Sequence, residues 1–404
     1  MNACKRFFCR VVQTVFRLAL PILPYREPKR VENRSALAEE LKQRGIGTVL
    51  FVTDHGVRQA GLTRPLEEAL SAAGIRAVVY DKTQANPTLQ NVEEARALYC
   101  KEGCTCLVAM GGGSAMDCAK AIGARIAYPK KPLSKLKGLL RVLKPIPLLV
   151  AIPTTAGTGS EVTLAAVITD SEQKYKYTMM DFTLIPHIVL LDPTVTVSLP
   201  QALTATTGMD ALTHAVEAYI GRSTTKETRK AALTAVSLIF SNIEAAYQDG
   251  GNLEARESML RAAYLAGVAF SKSYVGYIHA IAHSLGGQYN LPHGLCNAVL
   301  MPYVLKAYGK SAEKKLHRLA IAAGVADEHV SAHEGATRLI RAIEALNERL
   351  SIPKTLAGIR SEDIPLMAKH AAREANPLYP VPKLMNAAEL AVLYGEVADW
   401  SEAK

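Results

Sequence analysis

CLVAMGGGSAMDCAK, residues 106–120, is the stretch that decides the fold. Its first five residues carry no charge and read as a strand buried on both faces. Gly111, Gly112 and Gly113 then turn the chain, and Ser114 to Lys120 open a helix. A buried strand that passes through glycines into a helix is half of a βαβ unit, so the same signal should recur on both sides. Upstream, GTVLFVTD (47–54) and RAVVYDK (76–82) are short apolar runs. Downstream, PLLVAIPTT (147–155) and IVLLDP (188–193) match them, with helical stretches between. Strands alternating with helices predict a parallel sheet covered on both faces, an α/β domain over 31–199. After Leu199-Pro200 the pattern changes to long helical stretches rich in Ala, Leu and Glu, which predicts an all-helical domain over 200–404.

Composition bounds the function. The 404 residues suffice for two domains. With 49% hydrophobic and 21% charged residues, the chain is not disordered, and 27 Gly and 20 Pro exclude a collagen or a linker protein. The net charge of +10 is concentrated: residues 1–30 hold seven Lys/Arg against one Glu, and residues 130–144 hold six Lys/Arg and no acid. The remainder is close to neutral, so nucleic acid is not an expected partner. Seven scattered cysteines form no disulfide framework, which points to a reducing compartment, the cytoplasm. Cys100, Cys104 and Cys106 lack the second cluster that a zinc site needs.

The arm MNACKRFFCRVVQTVFRLALPILPYREPKR (1–30) is interrupted by Arg10 and Arg17, which argues against a signal peptide or a membrane span. Helical spacing puts Arg10, Gln13 and Arg17 on one stripe and apolar residues on the rest. Such a helix suits an anionic membrane surface, or an arm packed on its own body or on a partner subunit. Packing is favoured, because one short helix binds membranes weakly. The basic 130–144 segment reads as solvated surface.

In parallel sheets ligands bind beyond the carboxyl ends of the strands. Asp54, Gly111 to Ser114 and the loop PTTAGTGSEVT (153–163) all lie there. The glycines allow close backbone approach, and the helix that follows offers free N–H groups to a pyrophosphate. Ser114 with Asp117 is the pattern of a capping box. The spacing is not G-x-G-x-x-G, so the loop alone also fits a tight turn. Asp54 can accept from a ribose 2′-hydroxyl and repel a 2′-phosphate, or it can cap the next helix. Thr154, Thr155 and Thr158 can line a nucleotide, or serve a turn. Asn86, in the turn before Pro87, and Asp117 are further candidates for cofactor contact.

The helical half carries the strongest chemistry. In GMDALTHAVEAY, Asp210 and His214 are four apart. In HAIAHSLGGQYNLPHGLCNA, His279 and His283 are four apart and His293 follows ten residues on. On helices each pair shares a face. One carboxylate with several imidazoles suits Fe²⁺ or Zn²⁺ rather than a hard cation. Five candidates exceed four ligands, so one is expected to carry protons instead.

GGGSAMDCAK, PTTAGTGSEVT, GMDALTHAVEAY and HAIAHSLGGQYNLPHGLCNAVLMP resemble, in order and spacing, the motifs of the iron-containing (group III) alcohol dehydrogenases. The similarity extends from about residue 35 to ANPLYPVP near the C-terminus. It implies the dehydroquinate-synthase-like architecture: a nucleotide-binding α/β domain, then an all-helical metal domain. It implies metal binding by Asp210, His214, His279 and His293, with His283 as the unligated catalytic histidine. It places Gly111, Gly112, Gly113 and Ser114 on the pyrophosphate, and Thr154, Thr155 and Thr158 along the nucleotide. Lys176 matches the family's lysine near the nicotinamide ribose, and Asp54 favours NAD over NADP. The implied reaction is hydride transfer between NAD(H) and a small alcohol or aldehyde held by Fe²⁺ or Zn²⁺, in a homo-oligomer such as a dimer. Two alternatives are a glycerol-dehydrogenase-like polyol oxidoreductase and a membrane-associated binding protein without catalysis. The arm and the absence of a Phe-Gly-x-Gly pattern before residue 35 depart from the family.

Overall fold

The computed structural model describes residues 1–170 and 175–401, apart from the side chains of Pro21, Tyr175 and Lys176. The chain divides between Leu199 and Pro200 into two compact units, and Met1–Leu23 belong with the helical one.

The α/β unit holds a six-stranded, all-parallel sheet of order β1-β9-β6-β4-β2-β3. Its strands are β1 (Lys29–Val31), β2 (Thr48–Val52), β3 (Arg76–Tyr80), β4 (Cys106–Gly111), β6 (Leu148–Pro153) and β9 (Ile188–Leu190). Successive side chains leave a strand on opposite faces, so each central strand feeds two cores. Leu50, Val52, Leu107, Ala109, Leu149 and Ala151 enter one core. Val49, Phe51, Val108, Met110, Val150 and Ile152 enter the other. Helices α2 (Arg34–Gln43), α3 (His55–Gln59), α4 (Arg64–Ala72), α5 (Leu89–Lys101) and α6 (Gly113–Ala127) connect the strands. A smaller sheet combines β5 (Gly138–Leu139) with the antiparallel pair β7 (Ala165–Asp170) and β8 (Tyr175–Met180). The five long apolar runs of the sequence are all strands of the parallel sheet. The edge strand β1, Lys-Arg-Val, has no apolar run to announce it; it exists through its pairing with β9.

The helical unit comprises α1 (Ala3–Ala19), α7 (Gln201–Ile220), α8 (Lys226–Gln248), α9 (Leu253–Ser273) and α10 (Tyr277–Tyr289). It continues with α11 (His293–Tyr308), α12 (Glu313–Ala322), α13 (Ala332–Arg349), α14 (Ile364–Ala375) and α15 (Ala387–Val397). Among the described residues no helix is long and apolar enough to cross a membrane.

Helix α1 packs on this unit through Cys9 and Gln13, with Arg10 and Phe16 half-buried beside them. Gln13 is 3% exposed, whereas Phe7 and Leu18 are each 73% exposed. This reverses the usual orientation of an amphipathic helix. Its polar groups serve backbone carbonyls after α14: Arg10 donates to Val381 and Pro382, and Gln13 to Pro377 and Tyr379.

Candidate metal centre and nucleotide loops

Asp210 stands in the middle of α7, buried with only 3% exposure. His279 is the third residue of α10 and His293 the first of α11. One ligand atom from each of Asp210, His279 and His293 lies within 4.8 Å of the other two. Nε2 of His279 is 3.8 Å from Asp210 Oδ1, and Nε2 of His293 is 3.6 Å from the same oxygen. His214, one turn after Asp210, stacks its ring between Phe270 and His279, at 4.1 and 4.5 Å between centroids. The structure thus gathers three of the four predicted ligands by their ligand atoms and sets His214 against them by ring contact. His283 stacks on His293 with centroids 5.2 Å apart.

Glu217 explains how α10 aims its histidine. Helix α10 starts at Gly276 without a side-chain cap of its own. The carboxylate of Glu217, buried on α7, fills that role by accepting from Gly276 N at 2.7 Å and Ile278 N at 2.8 Å. The same carboxylate takes His279 Nδ1 at 2.7 Å. With Nδ1 committed, Nε2 is the free atom, and it is buried with no hydrogen-bond partner among the described residues. Burial first, then the neighbouring His214 and His293, push His279 well below the ordinary imidazole range, so it is neutral. Burial raises Glu217 to about 7 against the pull of its three hydrogen bonds. A neutral imidazole with an orphaned Nε2, facing a carboxylate oxygen and a second imidazole, fits a divalent transition metal. Asn297, one turn after His293, donates to Asp210 Oδ1 at 2.7 Å and contacts His293 Nε2 at 3.0 Å.

His283 is held by a carboxylate. Its Nδ1 meets Glu374 Oε1 at 2.7 Å, and Tyr379 Oη donates to that oxygen at 2.8 Å. Partial desolvation among its neighbours lowers His283, but the charge and hydrogen bond of Glu374 outweigh it and the net shift is upward. Burial likewise raises Glu374, and His283 and Tyr379 bring it below the ordinary carboxyl value.

In the α/β unit the two polar loops meet. Helix α6 begins at Gly113, with Gly112 in the cap position and no side-chain cap. The capping box expected from Ser114 and Asp117 is therefore absent. Ser114 lies inside the helix and donates to Ala85 O at 2.5 Å, next to Asn86. Asp117 instead reaches the second loop, accepting from Ser160 Oγ at 2.7 Å, and strand β7, accepting from Val167 N at 2.9 Å. The uncapped N–H groups of α6 are what an anion requires. A Cβ on Gly111 would stand 2.7 Å from Ala115 Cβ, and one on Gly113 would stand 2.9 Å from Thr158 Cγ2. Gly111 has φ +157°, so both space and backbone demand glycine there. Thr154 N donates to Gly111 O at 2.9 Å, and Thr155 Oγ1 is buried beside Gly112 without a partner among the described residues. The uncapped helix, the glycine cradle and this orphaned hydroxyl fit a dinucleotide. Asp54 caps α3 through Oδ1, with Val57 N at 2.9 Å, and its Oδ2 points toward Gly111. Both sequence readings of Asp54 are thus compatible with one rotamer. Lys176 pairs with Thr169 in the hairpin, but its side chain lies outside the described residues.

Several contributors were missed in the sequence. Glu217 had a weak signal, three residues after His214 on the same helix. Asn297 sits four after His293. Glu374, about ninety residues from His283, carried none, and Tyr379 stands in ANPLYPVP, a stretch that resembles the family without marking a role for it.

Comparison with known proteins completes the picture. The family model "Iron-containing alcohol dehydrogenase" matches residues 30–193, and "Fe-containing alcohol dehydrogenase family, C-terminal" matches residues 204–397. The 1,3-propanediol dehydrogenase of Klebsiella pneumoniae is 38% identical over 89% of this chain and 94% of its own. The NAD-dependent methanol dehydrogenase of Bacillus methanolicus is 40% identical over 85% and 91%. A crystal structure of a 1,3-propanediol oxidoreductase superposes with a TM-score of 0.88 at 36% identity, covering 92% of this chain and 99% of that one. The chain belongs to the iron-containing alcohol dehydrogenase family, and with it to the NAD(H)- and iron-dependent oxidoreductases of alcohols and aldehydes.

Proposed function

We propose that Asp210, His214, His279 and His293 hold the metal of this enzyme and that His283 carries the proton for a small alcohol or aldehyde. The observation that supports this most directly is the buried, unpartnered Nε2 of His279, aimed at Asp210 Oδ1 and His293 Nε2. When bound, Fe²⁺ supplies a Lewis acid for the substrate oxygen and NAD(H) the hydride. The side chains do the rest. Glu217 fixes the tautomer and direction of His279. Glu374 holds His283 by Nδ1, which leaves Nε2 to exchange a proton. Gly111, Gly112, Gly113 and Ser114 receive the pyrophosphate at the start of α6, and Thr154, Thr155, Thr158 and Asn86 border the nucleotide. Asp54 selects against a 2′-phosphate.

The test is metal content after anaerobic purification, with NADH oxidation assayed against short aldehydes. About one iron or zinc per chain, with activity lost on chelation, is the expected result. A metal-free protein that stays inactive after adding Fe²⁺ or Zn²⁺ would overturn the assignment. The homo-oligomer is tested by light scattering; a mass of twice the chain supports a dimer.

A further inference from the structure

We infer that the N-terminal helix α1 is a positioning element of the active site, which fixes His283 through Tyr379 and Glu374. The inference rests on the proton-carrying reading of His283. Every link lies within the helical unit. Gln13 Nε2 donates to Tyr379 O at 2.8 Å and to Pro377 O at 3.2 Å. Arg10 donates to Val381 O at 2.7 Å and to Pro382 O at 2.9 Å. The irregular stretch 377–382 therefore hangs from α1 by four hydrogen bonds. Tyr379, in that stretch, donates its hydroxyl to Glu374 Oε1 at 2.8 Å, and the same oxygen holds His283 Nδ1 at 2.7 Å. A second route runs through rings: Phe16 meets Tyr274 edge-on at 4.9 Å, and Tyr274 lies 6.0 Å from Tyr379.

The orientation of α1 is explained by this role. A helix recruited only to cover the core would bury Phe7, Val11, Val15 and Leu18. This one buries Cys9 and Gln13 and leaves those residues outside, and its Arg10 and Gln13 donate to carbonyls beside the site. The stretch has three backbone hydrogen bonds besides, Tyr379 N to Ala375 O at 2.7 Å, Val381 N to Tyr379 O at 2.8 Å and Arg222 N to Pro380 O at 2.6 Å, and the four donated by α1 add to them. Small displacements of a proton carrier cost rate, since transfer needs hydrogen-bond reach.

A double-mutant cycle tests the coupling. Tyr379→Phe removes one hydroxyl from the carboxylate and should lower kcat about tenfold, the loss expected for one hydrogen bond to a charged group. KM for NADH and metal content should stay at wild-type values. Gln13→Leu should lower kcat about threefold with the same signature, and the double variant should be no slower than Tyr379→Phe alone. Hydrogen exchange over 374–382 should rise in Gln13→Leu, whereas 293–308 should not change. Phe16→Leu serves as a second, milder arm variant if Gln13→Leu does not fold, with the same expected signature. Val15→Ala, on the outward face, should behave as wild type. Effects that multiply in the double variant, or arm variants with unchanged kcat and exchange, overturn the inference. His283→Ala separates the two claims. If it abolishes turnover while the arm variants do nothing, α1 alone is acquitted of the role; if it leaves turnover intact, the proton-carrying reading fails and the inference with it.

Discussion

Replacing Gly294 by alanine should loosen the proposed metal centre without replacing any of its proposed ligands. Gly294 follows His293 in the first turn of α11, and a Cβ there would stand 2.4 Å from the carbonyl oxygen of Thr206 and 2.9 Å from its carbon. Ordinary contacts begin at 3.4 Å, so α11 and α7 must part locally by about 1 Å. The obstacle is main chain, which no rotamer change relieves. Thr206 is one turn before Asp210, so the displacement acts on the pair His293 Nε2 and Asp210 Oδ1, now 3.6 Å apart. Metal ligation tolerates about 0.2 Å of error in ligand distance. A shift several times larger should weaken metal binding about 10- to 100-fold, the range seen when support of a ligand is lost. Overpacking should also cost about 1–3 kcal/mol of stability. Gly287→Ala is the control: it lies in α10, has nothing within 4 Å of its added carbon, and should be neutral or stabilise by up to about 1 kcal/mol. Competition with a chelator, read by metal analysis of the recovered protein, measures the affinity, and thermal unfolding of the metal-free protein measures the stability. Wild-type metal affinity in Gly294→Ala would refute the argument that this helix contact sets the distance between ligands.

Other predictions address the remaining parts. His283→Ala should reduce turnover far more than metal content; equal loss of both would make it a ligand rather than a proton carrier. Asp54→Asn keeps the cap on α3 but removes the charge, and should narrow the preference for NAD over NADP by about tenfold in kcat/KM; an unchanged ratio would leave Asp54 with the cap alone. His187 offers a pH signature. Its Nδ1 accepts from Leu149 N at 3.1 Å, and burial, helped by Arg26 and Arg44, lowers it to about 4. A depressed histidine favours the fold when neutral, so its contribution is complete above about pH 6.5 and is lost as pH falls toward 4. At about 1.4 kcal/mol per unit the contribution is at most about 3.5 kcal/mol. Urea unfolding of His187→Gln should show a shallower loss of stability than wild type between those pH values, and parallel curves would exclude the mechanism.

The long strands declared themselves because a strand buried on both faces must be an unbroken apolar run, as in Val49 to Val52 and Leu107 to Met110. Strand β1 was silent because an edge strand of three residues needs only hydrogen bonds, and Lys29 and Arg30 supply those as well as any residue. The antiparallel hairpin β7–β8 was missed for a related reason: Tyr-Lys-Tyr-Thr is too mixed to stand out from a loop.

The candidate site divides in the same way. Asp210 with His214, and His279 with His283, were readable because helical geometry makes residues four apart neighbours, whatever the fold does later. By itself the sequence determined the fold class, the residues of the candidate metal centre and the strand-end positions of the two polar loops, since each depends on local periodicity. Only the tertiary structure decided that Glu217 caps α10 and aims His279, that Asp117 ties α6 to Ser160 and β7 rather than completing a cap, and that α1 turns Arg10 and Gln13 toward the chain of contacts ending at His283. Those choices depend on which buried donors and acceptors find each other across tens to hundreds of residues of sequence, and a buried polar group takes whatever partner the packing brings within reach.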